Sequence, residues 1–217
     1  GAVLSDFKFS APSSSSIISP LTTLVTAGDI TEQQLITALG LPDVDIYSFN
    51  PFSPEANPEH ALAVEKVHQQ IMSVLGSVSA SNQTVDVDTF DIAIDALSEV
   101  LVSEINTGSI FDLSDQTDWE SVFTAAGTDP DNVGAIASAV ANVNQVIENV
   151  LVGEVDLLSS TETEAAFAVT AELFEQVEVA STVNTAVAVA SVSSIDVLPV
   201  NAAITDAELN GDFLIIA

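Results

Sequence analysis

The chain has no cysteine and no arginine, and its only two basic residues of the lysine type are Lys8 and Lys66. Without cysteine there are no disulfides, no thiolate chemistry and no cysteine-ligated zinc or iron–sulfur centre. Without base there is nothing to neutralise phosphates along a groove, which excludes a nucleic-acid binder. The same scarcity removes the usual attraction to anionic lipid. No run reaches the ~18 consecutive apolar residues of a membrane span, so membrane insertion is not expected. The glycine-rich loop and arginine clamp that hold phosphates are also missing. The start, Gly1-Ala2-Val3-Leu4-Ser5-Asp6, lacks a basic region followed by an apolar stretch and does not read as a signal peptide.

What is present is acid and hydrophobe. The 217 residues include 32 acidic side chains, giving a formal net charge of −30. Charged residues are nevertheless only 16% of the chain, below the average of about 25%, so the imbalance comes mainly from missing base. Hydrophobic residues make up 47% and the mean hydropathy is +0.44. That excludes a disordered acidic tail and predicts a packed core. The excess negative charge repels itself and calls for counter-ions. High salt, or the Ca²⁺ of an extracellular medium, would supply them.

The patterning predicts a mainly α fold: a helical bundle of four longer and two or three short helices, with short β-strands at the chain ends. Residues 1–16 read as a strand around Phe7-Lys8-Phe9 followed by a serine-rich linker, Ala11-Pro12-Ser13-Ser14-Ser15-Ser16. Residues 17–192 read as the bundle. Ser19-Pro20 opens a short helix that stops near Gly28, and Thr31-Glu32-Gln33-Gln34 is a capping box for a second that ends at Gly40. The proline-rich stretch 41–57 has no period and reads as an extended connection.

The four longer helices follow. Asn57-Pro58-Glu59 starts the first, with Val64, Val67, Ile71, Val74, Leu75 and Val78 on one face. Asp88 and Asp91 open the second, which carries Phe90, Ile94, Leu97, Leu101 and Ile105 and ends before Gly108. Thr117-Asp118-Trp119-Glu120 reads as the capping box of a short helix that stops at Gly127. Asp129-Pro130 starts the third long helix, with Val133, Ile136, Val140, Val143, Ile147 and Val150. Ser160 caps the fourth, with Ala166, Val169, Leu173, Val177 and Ala180. Residues 183–192 read as the tail of that helix, but their alternation of Val with Ala, Ser or Thr also fits a strand. Residues 193–217 read as a C-terminal extended segment leading towards a following domain.

Few residues could do chemistry. Both histidines, His60 and His68, fall on one amphipathic helix, where structural or surface roles are expected. Glu65 and His68 form a Glu-x-x-His pair, but a di-iron bundle needs a second such pair and two further glutamates, and the chain lacks them. Glu148 and Glu172 are the kind of carboxylate pair an acid–base enzyme would use; with Glu175 and Glu178 they read instead as a solvated face. No enzyme activity is expected. Oxygen-ligand sites for Ca²⁺ remain, because Ca²⁺ takes carboxylate, amide and backbone oxygens gathered on loops. Four clusters have the composition: Asp86, Asp88 and Asp91; Asp43 and Asp45 with Asn50; Asp112 and Asp115 with Asp118; and Asp206, Glu208, Asn210 and Asp212. The last imitates half of an EF-hand loop but has Ala217 where the closing Glu belongs.

The runs Phe9-Ser-Ala-Pro12, Ile18-Ser-Pro20-Leu-Thr-Thr-Leu-Val25, Ala38-Leu-Gly-Leu-Pro42-Asp-Val-Asp45 and Phe49-Asn-Pro51 resemble a module of very large secreted bacterial surface proteins, the RTX-type and cadherin-like adhesins. The resemblance covers roughly the first 55 residues. It implies a non-enzymatic extracellular or cell-surface module, exported by a type I system and folding in Ca²⁺. Its expected partners are neighbouring domains of a larger chain and a cell-surface or extracellular partner. The glycine-rich nonapeptide Ca²⁺ repeat of RTX proteins is absent. A second expectation is a helical bundle that holds a small apolar ligand between its small-residue stripes.

Overall fold

The computed structural model describes residues 8–28, 30–81, 89–153 and 155–163. These residues form six α-helices in chain order: α1 Pro20–Ala27, α2 Glu32–Ala38, α3 Pro58–Ser81, α4 Thr89–Thr107, α5 Gln116–Ala125 and α6 Pro130–Glu148. A further helical turn begins at 160–163. No strand occurs among the described residues; the only bridge joins Val152 to Val155. Lys8 to Ser10, expected at the end of a strand, is irregular. The other expected strand positions, and Ala166 to Ala180, lie outside the described residues.

Local chemistry sets the helix ends. At α1 the Ser19 hydroxyl accepts from the Thr22 N–H at 3.2 Å while the Thr22 hydroxyl accepts from the Ser19 N–H at 2.9 Å. Thr31 and Gln34 make the same reciprocal pair at α2. These bonds satisfy amides that have no partner within the helix. Asn57 Oδ1 accepts from the N–H groups of Glu59 and His60 at the start of α3. α4 and α5 end at Gly108 and Gly127, with φ of 73° and 75°. Only glycine adopts that left-handed conformation without strain, and it lets Ser109 and Thr128 donate back to Glu104 and Phe123.

Two starts fall elsewhere than the pattern predicts. α5 is capped by Asp115, whose side chain accepts from the Thr117 N–H at 2.6 Å, so the expected box at Thr117 lies inside the helix. A carboxylate at the cap meets the positive end of the helix dipole better than a threonine hydroxyl does. The turn at 160 is capped by Ser159, one residue before the expected Ser160: its hydroxyl accepts from the Glu162 N–H.

The packing is a closed ring. α3 lies against α4 and α6, and α5 lies against α4 and α6. Short α5 therefore forms one side of the ring among the described residues. α1 and α2 cover α4, and α1 also reaches α3. The expected apolar stripes face inward: Ile71, Val74, Leu75, Leu97, Leu101, Val140, Val143 and Ile147 are fully buried. Each such side chain contributes about 1.5–3 kcal/mol relative to exposure. Trp119, Phe123 and Phe111 fill the centre near α5, with Phe111 and Trp119 edge to face at 4.8 Å between ring centres.

The serine-rich segment is tied to this ring. The N–H groups of Ser16 and Ile17 and the Ser15 hydroxyl all converge on the Tyr47 carbonyl oxygen, at 2.8, 3.2 and 2.9 Å. The Ser10 N–H donates to Thr23 Oγ1, and Phe9 stacks edge-on against Phe90 of α4. Residues 41–57 are a chain of turns pinned at Ile46, whose N–H donates to Glu32 Oε1 at 2.8 Å.

Candidate functional site

The acidic loop clusters are organised by backbone amides. Asp45 accepts from the Tyr47 N–H and the Ser48 hydroxyl. Asn50 accepts from the Phe52 N–H, and Asp43 is exposed. Asp112 accepts from the N–H and hydroxyl of Ser114, while its own N–H donates to Asp118 Oδ2 at 2.8 Å. Asp91 is exposed in the first turn of α4. Asp86, Asp88, Asp206, Glu208, Asn210 and Asp212 lie outside the described residues. Among the described residues, no group of three or more His, Asp and Glu side chains is placed to hold a metal ion. The local chemistry competes with a metal: Asp45 and Asp112 close onto their own turns, and Asp118 reaches back to the Asp112 N–H.

At Asp118 the proton affinity is displaced. Partial burial pushes its pKa up; the Asp112 N–H pulls it down, and the charges of Asp115, Glu104 and Asp112 push it up again. Tyr47 is displaced in the same direction, first by burial and then by the charges of Glu32 and Asp45.

Of the histidine candidates, His60 sits half-buried in the first turn of α3. His68 Nδ1 lies 3.4 Å from Oε2 of Glu65, which is buried and takes a 2.7 Å hydrogen bond from Gln69 Nε2. His68 Nε2 is buried with no hydrogen-bond partner. The crevice it faces, under Ile17, Leu21, Ile46 and Phe49, leaves no volume for a water molecule. Glu148 is exposed at the end of α6, where its backbone carbonyl accepts from Lys66 Nζ at 2.6 Å. Glu172, its proposed partner, lies outside the described residues. The small residues Ala137, Ala139 and Ala141 of α6 are buried by direct packing.

Two features went unpredicted. One is a buried polar cluster around Asn144, which is completely inaccessible. Its side-chain amide donates to the Leu113 carbonyl at 2.8 Å and its Oδ1 accepts from Ser73 Oγ at 2.6 Å. Gln70 Nε2 donates to its backbone carbonyl, and Trp119 Nε1 donates to the same Leu113 oxygen at 2.8 Å. The signal was present: Asn144 stands four residues after Val140 and three before Ile147, on the apolar stripe of α6.

The other is a surface trough. Three adjoining clefts of about 550, 250 and 310 Å³ run from the α4–α5 loop, across α3 and the end of α6, to residues 151–153 and 155–158. The first two share Leu39, Val67 and Glu148; the last two share Leu62 and Val152. Ile110, Leu151, Val152 and Leu158 line it and are 52–67% exposed.

The fold and these sites define the chain as an all-α bundle over its described residues. No protein-family model matches it, and neither does any curated protein or solved structure. No helix among the described residues is long and apolar enough to cross a membrane.

Proposed function

We propose that the chain is a non-enzymatic structural or adhesion module of a large secreted bacterial surface protein. It stands outside the cell between neighbouring domains, with Ca²⁺ as a stabilising counter-ion. The supporting observation is the way the acids are used. Asp45, Asp112, Asp115, Asp118, Asp129 and Asp156 each accept from backbone N–H groups of their own or a neighbouring turn. The fold employs them as caps and turn formers, and all but the partly buried Asp118 leave their charge to the solvent. With a net charge of −30, that arrangement suits a medium in which dissolved cations provide the counter-charge.

Antibody labelling of intact cells of the source organism tests the location. Labelling without permeabilisation is the expected result. A signal that appears only after permeabilisation removes the surface reading.

A further inference from the structure

We propose that the trough along α3 and the end of α6 is a docking site for a cationic, amphipathic segment of another polypeptide. Four of the six large hydrophobic side chains that stand exposed among the described residues line this one feature: Ile110, Leu151, Val152 and Leu158. Exposed apolar side chains scattered singly need no explanation, but a contiguous set along a concave surface marks a place where something binds.

The rim identifies the occupant. Glu59, Asp112, Glu148 and Asp156 border the trough and are all exposed. One base, Lys66, lies there as well, with its ammonium on the Glu148 carbonyl oxygen at 2.6 Å. Four carboxylates against one ammonium, around an apolar floor, complement a ligand with apolar anchors flanked by Lys or Arg. A second copy of this chain cannot provide that: it has two lysines, no arginine and a net charge of −30. Residues 164–217 of the same chain contain neither Lys nor Arg. Both would bring acid to an acidic rim. A basic segment from a different protein brings the missing charge, and the field of the whole chain steers it inward.

The test uses the full chain and a fluorescein-labelled peptide of leucine and lysine spaced as an amphipathic helix, read by fluorescence anisotropy. The expected result is saturable binding at moderate salt. Ile110→Ser with Leu158→Ser should weaken it about ten-fold. Glu59→Gln with Glu148→Gln should weaken it about five-fold. Asp95→Asn with Glu99→Gln removes the same charge from exposed positions of α4 outside the trough and should leave affinity within about two-fold. All these positions are exposed, and circular dichroism of each variant verifies the fold. Equal losses from the trough and α4 charge variants would mean nonspecific attraction and overturn the proposal. No binding to the full chain also overturns it. Concentration-dependent dimers that dissolve in Ile110→Ser with Leu158→Ser assign the surface to self-association and overturn it as well.

Discussion

Asn144 of α6 and Leu113 of the α4–α5 loop are joined by a 2.8 Å hydrogen bond from the side-chain amide to the backbone carbonyl. That oxygen also receives the Trp119 indole N–H. A buried carbonyl without a donor is costly, and these two donors fill both lone pairs of this one. Asn144 also holds Ser73 of α3, so one side chain fixes the register of α3, α6 and the loop that leads into α5.

Replacing it should therefore damage the whole ring. Asn144→Ala leaves a small cavity and strips Ser73 Oγ of its acceptor on α6. A loss of about 2–4 kcal/mol is expected in urea or guanidinium unfolding. Trp119, the only tryptophan, reports on the same region. A loss below about 0.5 kcal/mol would show that the network adds nothing to stability.

Asp118 predicts a pH effect of unusual sign for a carboxylate. Its folded-state pKa is raised above the ordinary aspartate value of 3.8, chiefly by burial. Folding therefore takes up protons in the window just above pH 3.8. The contribution favours the fold below that window and is lost as pH rises through the folded pKa. Asp118→Asn keeps an oxygen for the Asp112 N–H and removes the charge. Its urea midpoint should exceed that of the parent at pH 7, and the advantage should disappear below pH 3.8. A lower midpoint at pH 7 would contradict this account.

Tyr47 is the only tyrosine, so its phenolate absorbance can be followed alone. Its midpoint in the folded protein should lie above 10.0, owing to burial and then to Glu32 and Asp45. Added salt should lower it by screening those two charges. A folded-state midpoint at or below 10.0 would mean that the ring is open to solvent and far from both acids.

Counter-ions should stabilise the fold. With a net charge of −30, melting temperature should rise with NaCl through the range in which the Debye length falls to about 8 Å. It should rise further in CaCl₂ at matched ionic strength. Identical melting in the two salts would leave screening alone and remove Ca²⁺ from the reading.

Much of this fold can be read from periodicity. The stripes from Val64 to Val78, Phe90 to Leu101 and Ile136 to Val150 are buried as their spacing requires. The caps at Ser19, Thr31, Asn57 and Asp129 act where the pattern places them. The misplaced starts have a common cause. Asp115 and Ser159 compete with neighbouring candidates two residues and one residue away, and the choice depends on where the preceding loop is anchored. That anchor is a tertiary fact, as in the bond from the Phe111 N–H to the Ala38 carbonyl. The same holds for the serine-rich segment, whose composition reads as a tether but whose hydroxyls and amides meet at Tyr47. The trough was least legible. Ile110 lies more than 40 residues before Val152 and Leu158, and nothing in their local sequence says that they share a surface.

The contact between Lys66 and the end of α6 has a consequence for proteolysis. A protease of trypsin-like specificity cuts after Lys or Arg, and this chain offers it Lys8 and Lys66 alone. Lys66 lies within α3, and its ammonium is engaged by the Glu148 carbonyl. Cleavage there requires opening both the helix and its contact with α6. Even after such a cut, residues 67–217 present no further site to that class of enzyme. The same shortage of base that sets the net charge also gives the chain durability against proteases of basic specificity.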